Sequence, residues 1–324
     1  MNSQPNELNN GQPNELNNSQ QKLLNDLKQI ESLRLAQFLT THDGLHPSPT
    51  ATTRVKRDLK ALFTDPPPGI FVTSDESDFM TVHALIIGPY DTPYEGGFFY
   101  FILKCPADYP IQPPKVRFMT THCGTVRFNP NLYKTGKVCL SILGTYEGPA
   151  WSPAQQLSSL LISIQSLLNE KPYHNEPGFN NELCVGDAKR YNEIIQHETL
   201  RVAVIGMVLN ETSLSIPTCF IKVMEKSFLQ FYDHYVETAK NNLHLDGQKM
   251  VDPFRDERGT FQYKLILKRL EELHAKISEK HSLLPEEPSC SIVNVLSNDD
   301  KQDSPDSSDS SLSACSSSEL PIEL

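Results

Sequence analysis

Apolar positions change their period several times along this chain, and each change marks an element. Val55, Leu59 and Leu62 fall three and four residues apart, on one face of a helix starting near Ser48. Pro66-Pro67-Pro68-Gly69 ends that helix. Runs rich in Phe, Ile, Val and Tyr follow at about 69–74, 80–88, 97–104 and 115–120, separated by Gly and Pro turns. Strands so closely spaced predict an antiparallel meander. Helical spacing then returns. Leu157, Leu160, Leu161, Ile164 and Leu168 predict a helix from about Pro153 to Glu170, stopped by Pro172. Tyr191, Ile195, Val202 and Ile205 mark a third helix, and Phe220, Met224, Phe228, Phe231 and Tyr235 a fourth. Tyr263, Ile266, Leu270, Leu273 and Ile277 mark a fifth. These stripes read as helix packing rather than as a cofactor box. Helix, strands, then helices is the pattern of an α+β domain.

The two ends read differently. Residues 4–10 and 12–18 repeat the heptapeptide Gln-Pro-Asn-Glu-Leu-Asn-Asn, and residues 285–324 hold twelve serines and no aromatic side chain. Neither end buries enough apolar area to offset the entropy of ordering, so both are expected to be disordered. Between the repeats and the first helix, Leu23, Leu27 and Ile30 suggest an amphipathic segment over about 20–39. A lone helix of that length is marginal in water, so a partly formed helix is expected there. The chain therefore divides into a low-complexity extension with a short amphipathic helix (1–47), a core (48–200), further helices of the same domain (201–284) and an acidic serine-rich tail (285–324). Ser304-Pro305 and Ser307-Ser308-Asp309 offer phosphate acceptors, unless the tail only solvates.

Charge sharpens this division. The formal net charge is −11, and the last forty residues carry nine acidic side chains against one basic. The acidity belongs to the tails, and residues 48–284 are nearly neutral. No basic stripe argues for nucleic acid. No apolar run approaches the roughly 20 residues of a membrane span, and the N-terminus has no signal-peptide pattern. The seven cysteines (105, 123, 139, 184, 219, 290 and 315) form no Cys-x-x-Cys pair, which speaks against a zinc ribbon or a thioredoxin-like site. Free thiols point to a reduced cytoplasmic or nuclear setting.

Candidate chemistry centres on Cys139. A cysteine among Val138, Leu140 and Ile142 would by itself read as a buried core thiol. Its company changes that reading. In order come Gly88-Pro89-Tyr90-Asp91-Thr92-Pro93-Tyr94-Glu95-Gly96-Gly97-Phe98-Phe99, Tyr109-Pro110-Ile111-Gln112-Pro113-Pro114-Lys115-Val116, Phe128-Asn129-Pro130-Asn131, Gly136-Lys137-Val138-Cys139-Leu140 and Trp151-Ser152-Pro153. Each motif is weak alone, and together they are specific. Over about residues 48–200 the chain resembles the ubiquitin-conjugating enzyme family. Asn175-Glu176-Pro177-Gly178-Phe179 and the long helices beyond it resemble the class Z branch.

The resemblance implies the ubiquitin-conjugating fold: an N-terminal helix, a four-stranded meander, an active-site loop and C-terminal helices. It also implies that Cys139 accepts ubiquitin as a thioester from an activating enzyme and passes it to substrate lysines, usually with a ubiquitin ligase. A thiol suits that exchange, because thiolate is accessible near neutral pH and its thioester stays reactive. Asn131 matches the family asparagine, which either donates to the oxyanion as lysine attacks or chiefly bridges its own loop. Asn129 stands where the family has histidine, and Ser141 where many relatives have an acid. Lys137 either favours the thiolate or points away on strand alternation. Glu176 matches the acid that orients the incoming lysine, with His174 a second candidate. Arg54, Lys56 and Arg57 match the face that meets the activating enzyme, unless they are a solvated helix face. Ile111, Ser152, Pro153 and Ala154 match the loops on which ligases dock. The stretches 122–127 and 144–150 are longer than in minimal relatives. Class Z membership further implies a less general, alternative activating enzyme and a tandem ubiquitin-like modifier besides ubiquitin, and the chain is expected to be a monomer without metal or cofactor. ATP is consumed by the activating enzyme: Gly136-Lys137 lacks the upstream glycine and the Ser or Thr of a phosphate-binding loop.

Two other readings compete. A cysteine hydrolase would pair Cys139 with His122 or His174, because thiol hydrolysis needs a base within reach. A non-catalytic binding module on the same fold would keep the shape without the transfer.

Overall fold

The computed structural model describes residues 18–40 and 46–282. The Asn-rich repeats before residue 18 and the serine-rich tail from 285 lie outside them.

The meander forms as the spacing implies. Strands β1 (Ile70–Ser74), β2 (Thr81–Ile87), β3 (Phe98–Lys104) and β4 (Lys115–Phe118) pair antiparallel in the order 1-2-3-4. The β2–β3 register sets Val82 opposite Leu103 and Ala84 opposite Phe101. All seven residues of β3 are buried, so both faces of the sheet are covered. One face carries Val82, Ala84, Ile86, Phe99, Phe101 and Leu103. It packs in one apolar cluster with Ala51, Val55, Leu59 and Leu62 of helix α2 (Pro49–Thr64) and Leu157, Leu160, Leu161 and Ile164 of helix α3 (Leu157–Gln165). The opposite face, Leu85, Phe98, Tyr100 and Ile102, lies in a second cluster with the C-terminal helices. Those are α5 (Thr218–Asn241) and α6 (Tyr263–Ser282). The C-terminal helices therefore cover the back of the sheet rather than extending it.

Three elements differ from the periodicity. The helix expected over 153–170 is regular only over Leu157–Gln165. Residues 152–155 form a turn closed by Gln155, whose N–H bonds the Ser152 carbonyl and whose Oε1 accepts from the Ser152 N–H. A reciprocal Gln156–Ser159 capping box then starts the helix. The helix read from Tyr191 to Ile205 is α4 (Asp187–Glu198) followed by a wider π-helical stretch, Thr199–Gly206.

The third difference is the N-terminal segment. It is a 23-residue helix, α1 (Asn18–Thr40), docked on the domain rather than partly formed. Its inward face is also not the expected one: Leu23 and Ile30 are 59% and 45% exposed. The buried centre is Glu31, whose Oε1 meets Arg117 Nη2 of β4 at 2.5 Å. Leu35, Phe38 and Leu39 pack against the second cluster, and Lys104 donates to the Leu39 carbonyl. A charged residue at the middle of a docking face hides that face from hydrophobic periodicity. The ion pair offsets the desolvation that would otherwise keep helix and strand apart.

A second ion pair, on a buried carboxylate, closes α4. Glu198 accepts from Arg201 Nη2 at 2.5 Å and lies 3.2 Å from His197 Nδ1, while His197 Nε2 accepts from the Gln262 N–H at 3.0 Å. These charges and hydrogen bonds hold the Glu198 carboxyl down at about 2 against its burial.

Glu31→Ala, which strands the Arg117 guanidinium in a buried site, is expected to cost about 3–5 kcal/mol in urea unfolding. Leu33→Ala on the exposed side of α1 should stay within about 0.5 kcal/mol. Glu198 stabilises the fold fully above its ordinary value of 4.5, and that contribution fades as pH falls from there towards 2, because the unfolded chain takes up the proton first. Glu198→Gln should flatten part of that acid limb, measured as unfolding midpoint against pH.

Candidate active site

Cys139 is placed by a hairpin hooked onto the edge of β4. Arg117 bridges Lys137, and the Phe118 N–H donates to the Gly136 carbonyl at 2.8 Å. Gly136 is required there. Its φ is +85°, and a Cβ would sit 2.8 Å from the Phe118 carbonyl oxygen. Leu132 bridges Val138 across the hairpin, which brings the Asn129-Pro130-Asn131 turn beside the cysteine.

The backbone around Cys139 is fixed on both sides. Its N–H donates to the Asn131 carbonyl at 2.9 Å, and its carbonyl accepts from Asn131 Nδ2 at 3.0 Å. Thr145, in the longer loop after the cysteine, donates its hydroxyl to the Val138 carbonyl at 2.8 Å and accepts from the Leu140 N–H at 3.0 Å. Cys139 itself is 6% exposed. Asn131 therefore bridges its loop in this state. Its Oδ1 is buried without a partner, and one of its two amide hydrogens is spent on the Cys139 carbonyl.

Asn129 anchors the turn. Its Nδ2 donates to Tyr94 Oη at 2.9 Å and to the Leu167 carbonyl at 2.8 Å, and its Oδ1 accepts from the Asn131 N–H at 2.9 Å. The Tyr94 hydroxyl donates in turn to the Phe128 carbonyl at 2.8 Å. A carboxamide provides two donors and one acceptor oxygen without titrating. A neutral imidazole provides one of each, and a charged one provides no acceptor. Asn129 thus satisfies this site more completely than the histidine expected from the resemblance could.

Three further side chains, Tyr133, Arg127 and Phe254, form a chain of contacts that leads from Cys139 to the loop before α6. The Tyr133 phenol is pushed up by burial and then by Cys139, to which it hydrogen-bonds. Arg127 lies with its guanidinium 4.6 Å from the Tyr133 ring centre. Its Nη2 donates to the Pro130 carbonyl at 2.7 Å and to Glu176 Oε2 at 3.2 Å. Phe254, from the loop before α6, stands 5.5 Å from the same guanidinium. Thr145 and Arg127 both fall in the stretches whose extra length was visible in the sequence. Phe254 carries no signal there.

The anticipated residues are distributed as follows. Glu176 joins the cysteine turn through Arg127. His174 is held by its own loop, its Nδ1 2.6 Å from the Phe179 carbonyl. His122 bonds Thr125 at 3.1 Å. Among the described residues no histidine is hydrogen-bonded to Cys139. Lys137 is exposed, with its ammonium 5.9 Å from the Tyr133 ring centre. Lys56 and Arg57 face solvent, whereas Arg54 is only 10% exposed. Arg54 pairs with Asp58 at 2.8 Å and donates to the Pro153 carbonyl at 2.9 Å and the Gln155 carbonyl at 2.5 Å. It ties α2 to the turn before α3 rather than standing free. Ile111, 66% exposed, shares one surface with Ser152, Pro153 and Ala154, because Trp151 Nε1 donates to the Pro110 carbonyl at 2.8 Å. Burial pushes the Cys105, Cys123 and Cys219 thiols up, away from nucleophilic use.

Asn129→His restores the family residue yet leaves one buried donor or acceptor of the turn unserved. It is expected to lose about 1–3 kcal/mol in chemical denaturation, and Asn129→Ala to lose more.

Comparison with known proteins agrees with this geometry. Residues 54–198 match the family model described as ubiquitin-conjugating enzyme. The chain is 56% identical over 239 residues to the ubiquitin-conjugating enzyme E2 Z of Xenopus tropicalis, covering 74% of this chain and 76% of that one. It is 54% identical over 255 residues to the Danio rerio protein of that name, with 78% and 77% covered. The Homo sapiens E2 Z is 56% identical over 238 residues, with 74% and 67% covered. With its meander, its cysteine hairpin and its Asn-Pro-Asn turn accounted for, the chain belongs to the ubiquitin-conjugating enzyme family, in its class Z branch.

Proposed function

We propose that Cys139 carries a modifier as a thioester and passes it to lysine amines. The observation that carries this reading is the clamped backbone of Cys139: Asn131 and Thr145 satisfy the peptide groups on both sides of the cysteine, and among the described residues no histidine is hydrogen-bonded to the thiol. A rigid thiol without a paired histidine suits exchange between activated thioesters better than hydrolysis. In the first step the Cys139 thiolate attacks the carbonyl of the modifier's thioester on an activating enzyme, whose thiolate leaves. In the second, a neutral lysine amine attacks the Cys139 thioester. The cysteine thiolate leaves, and the amine's proton goes to solvent as the isopeptide bond forms.

The roles follow from position. The second Nδ2 hydrogen of Asn131 donates to the oxyanion while the first keeps the loop closed. Glu176 orients the lysine at the lip of the cleft. Lys56 and Arg57 on α2 meet the activating enzyme, an alternative one as class Z membership suggests, and Arg54 shapes that face from within. Ile111, Ser152, Pro153 and Ala154 receive ligases. The modifier is ubiquitin or a tandem ubiquitin-like protein, and ATP is used by the activating enzyme alone. The setting is cytoplasmic and nuclear.

Incubation with activating enzyme, ATP and modifier should give an adduct cleaved by dithiothreitol in the native protein and none in Cys139→Ala. Cys139→Ser should give an ester that resists dithiothreitol. Adduct formation in Cys139→Ala, or hydrolysis without ATP, would contradict the reading.

A further inference from the structure

The loop between α5 and α6 returns to the front of the molecule. Asp252 and Arg258 close it as an ion pair at 2.7 Å, with both side chains almost fully buried. Asp252 Oδ1 also accepts from the Phe254 N–H at 2.7 Å, which orients the Phe254 ring. That ring packs against Tyr173, Phe179 and Tyr191, with centres 5.5, 5.4 and 5.0 Å away, and against the Arg127 guanidinium. Two residues on, Asp256 pairs with Lys134 of the cysteine hairpin at 3.5 Å.

Arg127 is thus the point where the C-terminal loop, the asparagine turn and Glu176 meet. Its Nε donates to the Asn129 carbonyl at 3.3 Å, and its Nη2 to the Pro130 carbonyl and to Glu176. The two carbonyls immediately precede Asn131. We propose that Arg127 is a positioning residue for transfer to lysine: it sets the Asn131 turn through two backbone carbonyls and balances the charge of Glu176, while Phe254 holds its guanidinium in place. This rests on the thioester reading of Cys139 and on Glu176 as the residue that meets the incoming lysine.

The charge argument has a definite sign. An attacking amine must be neutral, and a lone carboxylate at the lip would favour the ammonium. Arg127 offsets that effect, so Glu176 orients the amine without holding its proton. The other charged groups around this cluster are Lys137, exposed with its ammonium 5.9 Å from the Tyr133 ring centre, and two ion pairs. Lys134 is paired with Asp256, and Arg258 with Asp252. His174 is bound to the Phe179 carbonyl, and the Tyr133, Tyr173 and Tyr191 phenols and the Cys139 thiol complete the surroundings.

The test is a single-turnover assay on the full chain. The protein is charged with ubiquitin, the activating enzyme is quenched, free lysine is added, and thioester loss is followed against pH. In Arg127→Ala, discharge is expected to fall at least about tenfold more than charging does, with its pH midpoint displaced upward. Adding Glu176→Gln to Arg127→Ala should return the midpoint to the native value while the rate stays low. Arg127→Lys keeps the charge but loses the planar fork, so it should discharge slowly at the native midpoint. It carries the test should Arg127→Ala fail to fold. Equal losses in charging and discharge, an unmoved midpoint in Arg127→Ala, or native discharge in Arg127→Lys would overturn the role of Arg127 alone. A native protein that never charges overturns the functional reading and this inference with it.

Discussion

A sheet that is apolar on both faces has to be covered twice, and that constraint organises this molecule. β3 has no exposed residue. Each large side chain on its second face would forfeit about 1.5–3 kcal/mol if left in water. The C-terminal helices that cover Phe98, Tyr100 and Ile102 are therefore part of the domain's stability rather than an appendage. Covering the back also sets the path of the chain. Between α5 and α6 it passes round to the front, and the loop there delivers Phe254 and Asp256 to the hairpin that bears Cys139. A packing requirement on one side of the sheet thus supplies contacts to the cysteine hairpin and the turn beside it on the other.

At the cysteine the controlling feature is the uncharged amide of Asn129. It donates twice and accepts the Asn131 N–H, all within a fully buried site. A group that does not titrate keeps this geometry the same across the neutral range. An imidazole in its place would change its donor and acceptor pattern on protonation. The asparagine at this position serves more partners than an imidazole could.

Legibility of this architecture in the sequence followed the length scale of the cause. The four strands and helix α2 are local patterns, and their observed bounds fall within a few residues of the expected ones. The cysteine and its turns were legible because a motif fixes spacing along the chain. Long-range pairings were not. Arg54 reads as a solvated charge until the Pro153 carbonyl, 99 residues on, is seen to accept from it. Helix α1 shows its most regular leucine stripe to solvent and docks through Glu31, which a search for apolar periodicity passes over. Arg127 and Phe254 meet only because the back of the sheet needs covering, a reason no local window contains.

Asn131 draws these arguments together. It is a buried amide that is incompletely satisfied: Oδ1 has no partner, and one Nδ2 hydrogen is committed to the Cys139 carbonyl. An unpaired buried oxygen costs about 1–3 kcal/mol, so the turn persists only because its surroundings over-determine it. Those surroundings are Asn129 from below and Arg127 on the preceding carbonyls. A group held in this way does not need to reorganise when charge appears beside it. An interaction that strengthens as the charge develops lowers the barrier, whereas one already satisfied in the ground state does not. In the transfer proposed for Cys139, the atom able to meet that charge is the second Nδ2 hydrogen, a donor, whereas Oδ1 is an acceptor that an oxyanion would repel.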